Sequence, residues 1–177
     1  MKRLLIFFAG LCVMLSASGI AEAKKNALPD WQDPQIVQEN RLPMTASFQS
    51  GGLKLSLNGM WKFAWYETID SRSMDFFKTD YADADWDYIP VPGMWELNGY
   101  GDPVYKNVGY AWNGHYDTNP PYPAMEHNYA GQYRKTFVLG EEWTGEDVFL
   151  HIGSATSNVR VWVNGKEVGY SEDSKLE

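Results

Sequence analysis

Val159, Val161 and Val163 alternate with Arg160 and Trp162, Asn164-Gly165 follows at once, and the alternation resumes from Lys166 to Tyr170. Asn-Gly between two runs of period two favours the pair of positive φ angles that a tight hairpin turn requires, so this stretch is expected to be an antiparallel hairpin. The same period occurs earlier. Leu53, Leu55 and Leu57 lead to Asn58-Gly59 and then to Trp61, Phe63 and Trp65, which predicts strand, turn, strand. Further strands are expected from Gln132 to Leu139 and from Val148 to Ile152. No amphipathic segment keeps a helical period for more than two turns, so the chain is expected to be all-β.

The connections carry their own signals. Residues 70 to 88 are acidic and aromatic without a clean period, and Ile89-Pro90-Val91-Pro92 removes two amide donors, so a loop crossing one end of a sandwich is expected there. From Gly93 to Gly131 ten of 39 residues are Gly or Pro, among many Tyr, Trp and Asn. A connection of that length in a compact domain is usually functional or disordered, and its rings argue against disorder. Residues 24–52 have few periodic apolar positions and read as an extended arm, ahead of a β-domain over 53–177.

Lys2 and Arg3 precede an apolar run from Leu4 to Leu15, then small residues ending in Ala21-Glu22-Ala23. That order is a secretory signal peptide over 1–23, with cleavage expected after Ala23 and a periplasmic or secreted product. The apolar run is too short for a membrane span, which needs about 20 residues. The only cysteine, Cys12, lies in this leader, so the mature chain is expected to rely on core burial without disulfides. Removing Lys2, Arg3 and Glu22 takes the formal charge from -8 to -9, which excludes nucleic acid and, after cleavage, a membrane as partners. Ser171 to Glu177 carry no strand terminator, so the sandwich is expected to be truncated before its closing strands.

Glycoside hydrolysis needs two carboxylates about 5 to 9.5 Å apart across the scissile bond. The acids here sit mostly in runs such as Asp80 to Asp85, the composition of a solvated loop; Glu96 and Asp102, in the aromatic loop, are the remaining individual acids, and no pair stands out. His115, His127 and His151 are scattered and the mature chain has no cysteine, so no metal site is expected. With no nucleophile elbow and no phosphate loop, no catalytic residue is assigned. Aromatic residues make up 15% of the chain; their rings suit the C–H faces of sugars and equally fill a sandwich core. In the loop from Pro92 to Pro123, Asn98, Asn107, Asn113 and Asn119 both donate and accept, as a hydroxyl-rich ligand demands, while Asn98 and Asn113 precede glycines and suit turns.

Several motifs in order are more specific: Trp31 with Asn40-Arg41-Leu42, Leu57-Asn58-Gly59-x-Trp61, Val91-Pro92-Gly93-x-Trp95, Tyr105-x-Asn107-x-x-Tyr110, Asn119-Pro120-Pro121, Gly131-x-Tyr133, and Val161-Trp162-Val163-Asn164-Gly165 through to Asp173-Ser174. Together they resemble the amino-terminal domain of the large β-galactosidases of glycoside hydrolase family 2. The resemblance implies a jelly-roll (galactose-binding-like) β-sandwich, followed in a complete enzyme by immunoglobulin-like domains and a catalytic (β/α)8 barrel that are absent here. It implies retaining hydrolysis of terminal β-D-galactosyl residues by two glutamates of that barrel, so the fragment alone is expected to be inactive. It also places Asn107 beside the galactosyl hydroxyls as a substrate-binding residue, with Trp95 and Tyr105 shaping its loop. The family's magnesium and sodium belong mainly to the barrel, so no cofactor is expected in this fragment, although Asp30 and Asp33 of the arm are candidates to assist a peripheral cation. Implied partners are a β-galactoside or glycan, the missing catalytic domains and further copies of the complete enzyme. Two rival readings share parts of this pattern: a β-glucuronidase or β-mannosidase of the same family, and a non-catalytic carbohydrate-binding module.

Overall fold

A computed structural model describes residues 28–44, 51–103 and 122–172. The leader at 1–23 and the loop residues Tyr105, Asn107, Asn113 and Asn119 lie outside the described residues.

Strands and short 3-10 turns make up the regular structure, as an all-β chain requires. The strands are β1 (Gln38–Glu39), β2 (Gly59–Tyr66), β3 (Asp87–Val91), β4 (Ala130–Arg134), β5 (Val159–Val163) and β6 (Lys166–Ser171). Among the described residues they form two antiparallel sheets, ordered β1-β6-β5 and β3-β2-β4. The β5–β6 hairpin forms where Asn-Gly predicts it, with Asn164 at φ 51° and Gly165 at φ 81°. Both angles are positive, the condition that Asn-Gly meets at low steric cost.

Other expectations are corrected. Asn58-Gly59 is not a hairpin turn: Gly59, at φ 116°, is already the first residue of β2 and pairs with Val91, while Leu53–Leu57 forms no strand. Trp61 donates its indole Nε1 to the Leu57 carbonyl at 2.8 Å, which ties this lead-in back onto β2. Ile89-Pro90-Val91 does not cross as a loop; it belongs to β3, with Pro90 opposite Met60. The sheet order explains the tolerance, because among the described residues β3 pairs with β2 alone and a proline there interrupts no second described ladder. The strand expected from Gln132 instead begins at Ala130 and stops at Arg134. Val148–Ile152 makes no strand in the structure, and Val148, Phe149 and Leu150 remain 47%, 59% and 47% exposed. Period two requires a paired backbone as well as a pattern, and no described segment pairs with this one.

The arm does more than lead in. Gln38 and Glu39 pair with Ser171 and Tyr170, so β1 adds a strand to β6. Asn40 donates Nδ2 to the Val168 carbonyl at 2.6 Å, and Arg41 donates Nη1 to Ser171 Oγ at 2.9 Å. Asp30 accepts from Arg160, which also engages Glu167 and lies over the Tyr170 ring at 4.4 Å.

The described core is small: Phe63, Ile89, Tyr170 and Gln132 are its buried residues. The acidic aromatic connection after β2 joins the two sheets. Phe76 and Phe77 pack on Trp162 of β5 at centroid distances of 5.1 and 5.5 Å. Gln132 Nε2 donates to the Ser73 carbonyl at 2.6 Å, and Arg134 donates to the carbonyls of Phe76 and Lys78. Asp83 completes the attachment, taking Lys62 Nζ at 2.6 Å and Arg134 Nε at 2.8 Å. The Lys62 hydrogen bond, then Arg134, holds its carboxyl below the usual carboxylate range despite opposing desolvation. A depressed folded pKa means stability that is present above the unfolded value and lost as pH falls through the folded one. Asp83→Ala leaves two partly buried cations without their carboxylate and is expected to cost about 1–3 kcal/mol at neutral pH. Urea titrations of both chains check this, and the difference should shrink as pH falls through the depressed folded pKa of Asp83.

Candidate functional site

The long aromatic connection leaves β3 at Val91 and returns at β4, and its two described ends are tied together. The first end makes a 3-10 turn over Trp95–Asn98, capped by Gly99 at φ 90°. Asn98 donates Nδ2 to the Met94 carbonyl at 2.8 Å, so this asparagine serves the turn. Trp95 lies against Phe63, at a centroid distance of 6.3 Å, and against the Cα of Gly131. Tyr100 packs edge-on to Phe63 at 4.9 Å and donates its hydroxyl to Asp87 Oδ2 at 2.7 Å. That bond first, with desolvation, raises the Tyr100 phenol above its ordinary range.

The second end packs on the first. Tyr129 lies 5.1 Å from Trp65, donates its hydroxyl to Asp102 Oδ2 at 3.4 Å and meets His127 Nδ1 at 3.2 Å. Asn128 donates Nδ2 to the Ala124 carbonyl at 3.0 Å. Tyr133 stacks obliquely on Phe63 at 4.7 Å, and burial, then the Glu96 charge, pushes its phenol up to about 12. The feet of the connection are therefore a layer of rings over β2 and β4, edged by carboxylates.

The individual acids considered from sequence are drawn into separate contacts: Glu96 influences Tyr133, and Asp102 receives Tyr129. His151 is exposed and lies outside any strand. Among the described residues no group of three or more His, Cys, Asp or Glu is placed to hold a metal ion, and Asp33 accepts from the Gln35 backbone at 3.0 Å. Asn107 falls outside the described residues. Sequence reasoning missed the Arg160–Asp30 pair, for which nothing local gives a signal: its members are 130 residues apart.

A two-sheet antiparallel framework with a long aromatic connection over one sheet defines the class of β-sandwich domains. The chain belongs to glycosyl hydrolases family 2: residues 54–177 match that family's sugar binding domain, a jelly-roll-like β-sandwich. It is 37% identical over 167 residues to a protein named beta-galactosidase from Priestia megaterium, covering 86% of this chain and 16% of that protein. It is likewise 37% identical over 153 residues to a beta-galactosidase of Streptococcus thermophilus, covering 80% and 15%. A beta-galactosidase large subunit of Leuconostoc lactis is 35% identical over 164 residues, covering 80% and 26%. The chain thus spans between about a seventh and a quarter of the length of these relatives.

Proposed function

We propose that this chain forms the amino-terminal sugar binding part of a retaining β-galactosidase acting on terminal β-D-galactosyl residues. The observation that carries the reading is the similarity, over 80–86% of the chain, to proteins named beta-galactosidase. The ring layer at the feet of the 93–131 connection supports it, since such rings suit the C–H faces of a pyranose. In this reading residues 1–23 are an export leader removed after Ala23, and the product is periplasmic or secreted. The acid and nucleophile come from a catalytic barrel, as do the magnesium and sodium sites, and the complete enzyme assembles from several copies. This chain contributes Asn107, whose amide both donates to and accepts from a galactosyl hydroxyl pair.

Asn107→Ala in the complete enzyme tests the assignment. Loss of a neutral hydrogen bond of about 0.5–1.5 kcal/mol lowers kcat/KM by roughly threefold to tenfold or slightly more. If the bond tightens as the sugar ring flattens, kcat falls as well as KM rising. Melting temperature measured on the same sample separates the alternatives, because an asparagine that only holds its turn would lower stability and leave the kinetics of the folded enzyme unchanged.

A further inference from the structure

β2 runs to Tyr66, but its pairing with β3 ends at Phe63 opposite Asp87. Beyond that pair Asp85 and Trp86 lie outside any strand, and a cleft of about 290 Å³ is lined by Phe63, Trp65, Tyr66, Asp85, Trp86, Asp87 and Tyr100. Phe63 and Trp65 project from one face of β2 and Tyr66 from the other, so the cleft straddles the sheet edge. Trp86 is held by Phe76, stacked at 6.4 Å, and by Tyr81, edge-on at 5.8 Å. Tyr100 is held by Phe63 and by its bond to Asp87, which occupies one carboxylate oxygen.

We propose that this cleft is a saccharide-binding subsite, separate from Asn107, that takes one ring of a neutral sugar. The volume lies near the roughly 300 Å³ lower end of small-molecule sites, which suits a single ring and not a long glycan. The rings supply apolar faces for sugar C–H groups, and the carboxylates of Asp85 and Asp87 accept from hydroxyls, giving charge-assisted bonds stronger than neutral ones. The same two carboxylates repel a uronic acid. A cation fits less well: calcium takes six to eight oxygens, and Phe63, Trp65 and Trp86 of the lining offer no side-chain oxygen.

Fluorescence titration of the 177-residue chain with lactose, galacturonate or calcium chloride alone tests the inference, since Trp65 and Trp86 report from the cleft. Lactose should give a saturable change, and galacturonate should bind several-fold more weakly. Asp87→Asn, which keeps shape and removes charge, should weaken lactose about fivefold, a change of the size expected for one hydrogen bond. Trp86→Ala should weaken it further; circular dichroism of each variant reports its fold, and Asp87→Asn stands as the test if Trp86→Ala does not fold. Asp87→Asn is read in this titration and Asn107→Ala in the turnover of the complete enzyme, so that failure of the subsite and failure of the Asn107 assignment are distinguishable. No saturable lactose response, a response untouched by Asp87→Asn, or an equal response to calcium alone would overturn the subsite.

Discussion

Phe63→Ala is expected to lower the unfolding free energy by about 3–5 kcal/mol, the range for deleting a buried phenyl ring. Phe63 is 1% exposed and lies where β2 meets β4 and the Trp95–Asn98 turn. Its ring touches Tyr133 of β4 at 4.7 Å, Tyr100 at 4.9 Å and Trp95 at 6.3 Å. The described core contains few other buried apolar side chains, notably Ile89 and Tyr170, so little else compensates. The three neighbouring rings are large and stiff, which limits how far they relax into the space left behind. Urea unfolding of wild type and variant measures the effect through the shift in midpoint at constant slope. A loss below about 1 kcal/mol would mean that the rings collapse onto one another and that Phe63 is not the keystone of the sheet.

Gly131→Ala is the second large effect, and it acts by crowding. A Cβ on Gly131 would stand 2.6 Å from Trp95 Cζ3 and 2.8 Å from Phe63 Cε2, closer than real carbon contacts allow. Neither ring is the free end of a flexible side chain, so the backbone of β4 or the Trp95 turn has to move. Overpacking of this kind costs about 1–3 kcal/mol. Near-ultraviolet circular dichroism should change as well, because Trp95 loses its seat. Gly51→Ala is the matched control: nothing lies within 4 Å of a Cβ there. Equal stability losses at the two positions would remove the steric account.

The contrast between these two glycines shows how unevenly the structure is written in the sequence. Gly131-x-Tyr133 is visible as a motif, but only the packing of Trp95 and Phe63 onto β4 gives the glycine its reason. The motif Asn40-Arg41-Leu42 similarly stands out on its own, whereas its contacts with Val168 and Ser171 join residues about 130 positions apart.

Local chemistry determined what needs only local partners. Asn164-Gly165 specifies its own turn, the flanking alternation specifies two strands, and the lack of a sustained helical period specifies an all-β chain. The motif order likewise sufficed for the family, because it is a property of the chain itself. Tertiary structure decided everything that depends on finding a partner. Leu53–Leu57 and Val148–Ile152 have the alternation of strands and form none, because a strand exists only when a second backbone accepts its hydrogen bonds. Ile89-Pro90-Val91 looks unfit for a sheet and forms the edge strand of the described sheet, where the missing proline donor interrupts no further described ladder. Only the folded chain sets Asp30 beside Arg160, Asp83 between Lys62 and Arg134, and Asp87 against Tyr100, since charge and hydrogen-bond pairing act over a few ångströms regardless of separation along the sequence.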